Sequence, residues 1–151
     1  MSMYIRINVT DSTWQPGLRL FKKNPQMNDK VLGQFAHFIA EIYKRMIVDV
    51  IENQRYKGKW APLSPRYAQW KKDHGLDTRI WVASGLLKDS IAVYRSNDAW
   101  VVGINPKKVY PGTQTRVLDV CRHLEFGTSR MPARPLFRPV RNYISKNTKL
   151  S

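Results

Sequence analysis

The chain holds a single cysteine, Cys121, in 151 residues. One thiol excludes an internal disulfide and a multi-cysteine zinc site, and it suits synthesis in a reducing cytoplasm. Acidic residues are scarce as well. Asp and Glu number 11 against 26 Lys and Arg, a formal net charge of +15 with an isoelectric point near 10.3. No acidic residue follows Glu125, whereas Arg130, Arg134, Arg138, Arg141, Lys146 and Lys149 do. Carboxylates so few and scattered argue against a two-carboxylate hydrolase or a two-metal nuclease. Long apolar runs are missing too. No stretch approaches the length that spans a bilayer, and Met1-Ser-Met-Tyr-Ile-Arg lacks the apolar centre of a signal peptide.

Catalytic signatures are equally thin. The sequence has no Walker loop, no dinucleotide glycine pattern, no histidine pair at metal spacing and no Gly-x-Ser-x-Gly elbow. His123-Leu-Glu125 matches half of a zinc-deaminase signature, but the Pro-Cys-x-x-Cys half is absent. Cys121 and His123 stand two apart on an expected helix, so they face different ways. The residues therefore read as non-enzymatic, with no cofactor and no metal assigned.

What is present argues for a folded chain. Hydrophobic residues make up 42% and aromatic ones 11%, enough to build a core in a single domain of this length. The charge speaks about partners, not fold: DNA, RNA, anionic membranes and acidic proteins all attract such a surface.

Taken in order, residues 3–9 alternate apolar and polar, which puts Met3, Ile5, Ile7 and Val9 on one face of a strand. Residues 18–22 could pair with it as a hairpin. Asn28 or Asp29 caps a helix expected to run to about Tyr56. Its apolar residues Leu32, Phe35, Ile39, Ile42, Met46 and Val50 are joined by Val31, Phe38, Tyr43, Ile47 and Ile51. That face is wider than one stripe, so the helix is either wholly internal or shared with a neighbouring subunit.

Ser64-Pro65 opens a short helix stopped by Gly75. Trp60, Tyr67 and Trp70 gather there, beside Lys57, Lys59, Arg66, Lys71 and Lys72. The rings either anchor the helix to the core or offer stacking faces to bases. Ser84 caps one turn through Leu87. Residues 91–95 and 99–104 read as an antiparallel hairpin. Residues 105–116 form a long polar loop, mobile or interacting. A helix at 117–125 carries Val117, Val120, Cys121 and Leu124 on one face. The order gives an α+β domain over residues 1–151, with a long N-terminal helix packed on a small antiparallel sheet and short helices around it. Residues 1–27 are an N-terminal strand or hairpin extension.

The late stretch from Cys121 to Val140 carries the densest punctuation. Gly127 suits the left-handed position past a helix end. Met131 and Arg134 precede prolines and are pushed toward extended geometry. Pro135 or Pro139 can then open a last helix, to about Asn147. Residues 130–151 read as a rigid basic arm leading into that helix.

Glu125-Phe-Gly-Thr128 followed by Pro132-Ala-Arg-Pro-Leu-Phe-Arg-Pro139 resembles the C-terminal signature of tailed-phage neck and tail-completion proteins, also described as head–tail joining or virion-morphogenesis proteins. Trp60-Ala-Pro-Leu-Ser-Pro65 resembles the segment that follows the first long helix in that family. Ser84-Gly-Leu-Leu-Lys-Asp-Ser-Ile91 resembles its turn into a strand. The three occur in the family's order, over roughly residues 31–143. The resemblance implies a structural subunit of the virion neck or head-proximal tail end, assembled as rings with copies of itself. Adjacent head-completion, connector, tail-terminator or tail-tube proteins would be its neighbours. Packaged DNA would pass close by, and no membrane is involved.

The matching positions form the candidate interface: Trp60, Pro62, Leu63, Ser84, Gly85, Leu86, Glu125, Gly127, Thr128, Arg130, Pro132, Arg134, Pro135, Phe137 and Arg138. From residue type, Leu136 and Phe137 are expected to be apolar anchors in a neighbour, and Arg134 and Arg138 bidentate partners of its acidic groups. Glu125 either binds an adjacent subunit's arginine or caps its own chain. The alternative function is a basic nucleic-acid-binding module.

Overall fold

The structure is a computed structural model that describes residues 5–7, 29–96 and 99–147. The expected hairpin strand at 18–22, the cap at Asn28 and the turn at 97–98 lie outside these residues. The elements are β1 (Ile5–Ile7), α1 (Asp29–Glu52), α2 (Pro65–Asp73), α3 (Leu86–Asp89), β2 (Ile91–Ser96), β3 (Ala99–Ile104), α4 (Val117–Phe126) and α5 (Phe137–Asn147). They form an α+β fold with the long helix packed on the sheet, as the sequence implies.

The sheet has the order β1-β3-β2 and is antiparallel throughout. Ile5 pairs with Val102, and Ile91 pairs with Ile104. The central strand β3 is buried at Ala99, Val101, Val102 and Ile104. Alternation is lost there because a central strand covered on both faces reads as a nearly continuous apolar run.

The buried stripe of α1 is Ala36, Ile39, Ala40, Tyr43, Ile47, Val50 and Ile51. The two alanines sit between larger side chains and let the helix come close to β2 and β3. Phe38, expected to widen the apolar face, and Ile42, expected in its stripe, are exposed, so the helix is not wholly internal to this subunit. The helix also ends four residues before the expected Tyr56. Gln54 takes a positive φ of 49°, which a helix interior does not accommodate. Its side-chain amide is spent on a different task. Nε2 donates to the carbonyls of Ile51 and Ile80 at 2.7 and 2.9 Å, and Oε1 accepts from the Ile80 N–H at 3.0 Å. Gln54 thus fastens the loop after α2 to the end of α1.

Both short helices start close to where the sequence marks them. Ser64 accepts from the Tyr67 N–H at 3.3 Å, with Pro65 in the first turn. At α3 the cap moves by one residue: Gly85 occupies it at φ 89°, while Ser84 Oγ accepts from Leu86 N–H at 3.4 Å. The loop 105–116 is folded on itself. Val109 bridges Arg116, and the Tyr110 N–H donates to the Thr115 carbonyl at 2.9 Å.

Helix α5 completes the core. Leu136, Phe137, Val140 and Ile144 recur at helical spacing and are all buried. Each such side chain contributes about 1.5–3 kcal/mol by leaving water.

Candidate assembly site: a clasp and a basic cleft

Helix α4 ends at Phe126, and its last turn carries Glu125. This carboxylate is buried, which is costly unless it is hydrogen-bonded. Three backbone N–H groups meet it: Leu136 at 2.7 Å, Phe137 at 3.1 Å and Arg138 at 3.1 Å. The first four N–H groups of a helix have no partner within it. In α5 those positions are Leu136, Phe137, Arg138 and Pro139, and the Val140 N–H begins the helical series by donating to the Leu136 carbonyl. Glu125 serves three of the four, and the fourth is a proline with no N–H to serve. The positive end of the helix also favours a carboxylate there. Glu125 therefore caps its own chain.

The turn before α5 is equally tied down. Gly127 has φ 75°, and a Cβ on it would lie 2.8 Å from the Ala133 nitrogen. The left-handed region alone would favour glycine; the close backbone crossing makes the requirement stricter. Thr128 and Met131 bridge each other, and the Arg134 N–H donates to the Leu124 carbonyl at 2.6 Å. Neither Met131 nor Arg134 is helical, as their prolines predict, and Met131 lies in the bridge.

Two indoles take the next carbonyls. Trp81 Nε1 donates to the Arg134 carbonyl at 2.9 Å, and Trp60 Nε1 donates to that of Pro135 at 2.8 Å. The Arg134 side chain returns the contact: Nε donates to the Ala61 carbonyl at 2.6 Å and Nη2 to that of Pro62 at 2.8 Å. The segment at Trp60 and the segment at Arg134 thus hold each other through side chain on backbone in both directions. Trp81 accepts a φ of 67° to reach its place, a conformation that costs a bulky residue of order 1–3 kcal/mol. Its burial against Phe137, ring centroids 6.3 Å apart, offsets that strain.

These contacts correct the reading of Arg134, Leu136 and Phe137 as outward contacts of a basic arm at residues 130–151. Arg134 is 3% exposed, Leu136 0% and Phe137 3%. They are occupied inside this subunit, because Glu125 and two tryptophans satisfy the backbone that an arm would leave to solvent. Arg134 meets carbonyls, not the acidic groups expected. Trp60 and Pro135 belong to the same clasp.

Beside the clasp lies a cleft of about 510 Å³. Pro62, Leu63 and Ser64 form one wall, and Ser84, Gly85 and Leu87 another. Arg130, Met131, Pro132 and Arg134 close a third. The three segments singled out in the sequence therefore meet at one place. Of the remaining candidate positions, Leu86 is half-buried just outside this lining, while Thr128 and Arg138 are exposed. Val120 and Leu124 of α4, expected among its core face, are half-buried and line the cleft, while Leu118 and Glu125 take buried places.

Lys71, Tyr67, Tyr110 and His123 also line the cleft and were not in the sequence-derived set. Lys71 is 3% exposed. Its ammonium donates to the carbonyls of Val82 and Arg79, the latter at 3.1 Å. Burial pushes the Lys71 pKa down; Asp77 partly opposes this, and Arg134 adds a smaller push down. Burial also lowers that of Arg134. The one signal available was that the inward face of α2 has little apolar to bury besides Ala68, so a lysine stem fills it.

The aromatic cluster divides. Trp60 is an anchor in the core, but Tyr67 and Trp70 are exposed. Tyr67 stacks on Trp70 with centroids 5.7 Å apart, and Trp70 on His74 at 4.2 Å. The expectation that these rings hold α2 to the core is corrected for Tyr67 and Trp70, because both are exposed and the buried side chain of α2 is Lys71, bonded to the Arg79 and Val82 carbonyls.

Cys121 is buried and its thiol pKa is pushed far above the ordinary value, first by burial and then by Glu125. His123 two positions on is exposed, so the pair does not converge. Among the described residues, no group of three or more His, Cys, Asp or Glu could hold a metal ion, and no helix is long and apolar enough to cross a membrane. No family model matches the chain, and no curated protein or solved structure with which it was compared does so either.

Proposed function

We propose that this protein is a structural, non-enzymatic subunit of the head–tail junction of a tailed bacteriophage, assembling as a ring in the neck or at the head-proximal end of the tail. One observation carries the reading. The three segments that resemble the neck and tail-completion family lie far apart in the chain, yet two of them build one clasp and all three line one cleft. A shared set of spaced motifs is expected to mark such a mutually dependent unit. The clasp fixes the subunit's own shape. Contacts to other ring components then fall to what it leaves outside: Pro62, Ser84, Thr128, Arg130, Pro132 and Arg138, together with Phe38 and Ile42 on α1. The net charge of +15 suits acidic neighbours or DNA passing through the ring.

The test is negative-stain electron microscopy of lysates from the phage that carries the gene, with the gene disrupted. Filled heads beside unattached or abnormal tails are the expected result. Normal infectious particles would remove the reading.

The exposed row Tyr67, Trp70 and His74 favours a second reading, a module that binds single-stranded nucleic acid. Arg66 and Lys72 stand exposed on the same helix. Base stacking on an aromatic ring is worth about 1–3 kcal/mol. This reading predicts oligonucleotide affinity that falls steeply with salt and drops on Trp70→Ala. Affinity indifferent to Trp70→Ala would dismiss it.

A further inference from the structure

The cleft poses a problem of charge. Its lining includes the buried cations Lys71 and Arg134 and the exposed Arg130 at the rim, but no Asp or Glu. Among the described residues, none of these three cations makes an ion pair. Lys71 spends donors on two carbonyls and Arg134 on two others. An ammonium has three N–H donors and a guanidinium five, so both keep donors in hand. Arg134 disfavours the charge on Lys71; Asp77, outside the lining and ion-paired to Arg79, favours it more strongly but does not reach it as an ion pair. Two buried like charges with no ion-paired partner and no carboxylate in the lining are expensive. Neutral donors would satisfy the same four carbonyls without that cost. Much of the remaining wall is apolar or aromatic, with Leu63, Trp81, Val82, Leu87, Tyr110 and Leu124, and Ser64, Ser84 and His123 add uncharged polar groups.

We infer that the cleft is a binding site for an anion carried on an apolar stem, whose charged end meets Lys71, Arg134 and Arg130 while the stem lies against the apolar wall. The volume is that of a small-ligand site. A carboxylate fits the charge: it accepts bidentate bonds from an arginine and point-charge bonds from a lysine. Two sources offer that chemistry. One is an acidic side chain flanked by apolar residues in a partner's peptide segment, and the other is a free amphiphilic carboxylate. The inference stands on the cleft alone and survives failure of the virion reading.

Isothermal titration calorimetry on the full chain tests it with two pairs of probes. One pair is acetyl-Glu-Leu-Phe-Glu-amide and its glutamine counterpart. The other is octanoate and octanol. At least one anionic probe should bind saturably, about tenfold or more tighter than its neutral counterpart. Peptide binding alone identifies a partner segment as the source, and octanoate binding alone a free amphiphile. Arg130→Glu and His123→Glu alter exposed rim residues and should each leave the fold intact by circular dichroism. Arg130→Glu should weaken the anionic probe by about tenfold or more, and Phe38→Ser, away from the cleft, should not change it. Lys71→Met should abolish binding if it folds; the rim variants decide the matter if it does not. Absence of saturable binding by either anion would overturn the inference. So would equal affinity for charged and neutral probes, or indifference to Arg130→Glu.

Discussion

Glu125 shows how much a single side chain can hold. It is one of only 11 acidic residues, and it is buried where three backbone N–H groups converge. Glu125→Ala leaves three donors without a partner and should cost roughly 3–5 kcal/mol in urea unfolding. Glu125→Gln keeps an acceptor oxygen but turns an NH₂ toward donors, and should cost about 1–3 kcal/mol. A loss below about 1 kcal/mol for the alanine variant would contradict the capping role. Its position in the sequence gave both options, a cap or a partner's arginine. Only the fold shows the choice, because the capped helix begins eleven residues or more downstream of it. Lys71 was legible as a cation but not as a buried one. Its folded-state pKa lies below the unfolded value of 10.5, so the folded chain releases this proton first. By linkage, raising the pH through the interval below 10.5 favours the folded state at this residue, and the cost of its buried charge is full at neutral pH. The stability of the parent relative to Lys71→Met should therefore rise as the pH goes from neutral toward 10.5. A flat or falling difference would contradict the assignment.

At the scale of elements, the helices and the hairpin of the fold follow from local rules. The stripe on α1, the Ser64-Pro65 start of α2 and the β-branched hairpin of β2 and β3 were all readable. The ends were less so. Helix α1 stops where Gln54 leaves the helix to hold residue 80, a contact that no local pattern announces. Gly127 was readable as a helix-end glycine, but its closeness to Ala133 was not. Gly127→Ala should cost about 2–4 kcal/mol from strain and collision. Gly58→Ala is the matched control. A Cβ there meets nothing within 4 Å, so its unfolding midpoint should move little. Equal effects of the two substitutions would show that the crossing at Gly127 is looser than described. Trp60→Phe keeps a ring in the core but removes the donor to Pro135, and should cost about 1–3 kcal/mol for an unsatisfied buried carbonyl.

For the whole molecule, the clasp changes what the late stretch is for. Proline, arginine and aromatic residues interleaved in a basic run describe an arm if read alone. In the fold, Arg134, Leu136 and Phe137 are consumed at home, while Arg130, Pro132 and Arg138 stay exposed. The prolines shape the crossing, the arginine and tryptophans bond the backbone, and Leu136 and Phe137 fill the core. The sequence could single out these segments but not the direction their side chains take, because inward and outward use of an Arg or a Phe leave the same pattern. The cleft was illegible for a related reason. Its walls come from segments some seventy residues apart, and no local pattern marks Lys71 as the buried member of its basic helix.

The most direct measurement is amide hydrogen exchange at Arg134, Leu136, Phe137 and Arg138 in the full chain. Their N–H groups are donated to Leu124 and Glu125. The clasp predicts protection at all four close to that of the β3 strand, lost together in Glu125→Ala. Rapid exchange at these amides while β3 stays protected would mean that the segment is a free arm, and would contradict the account.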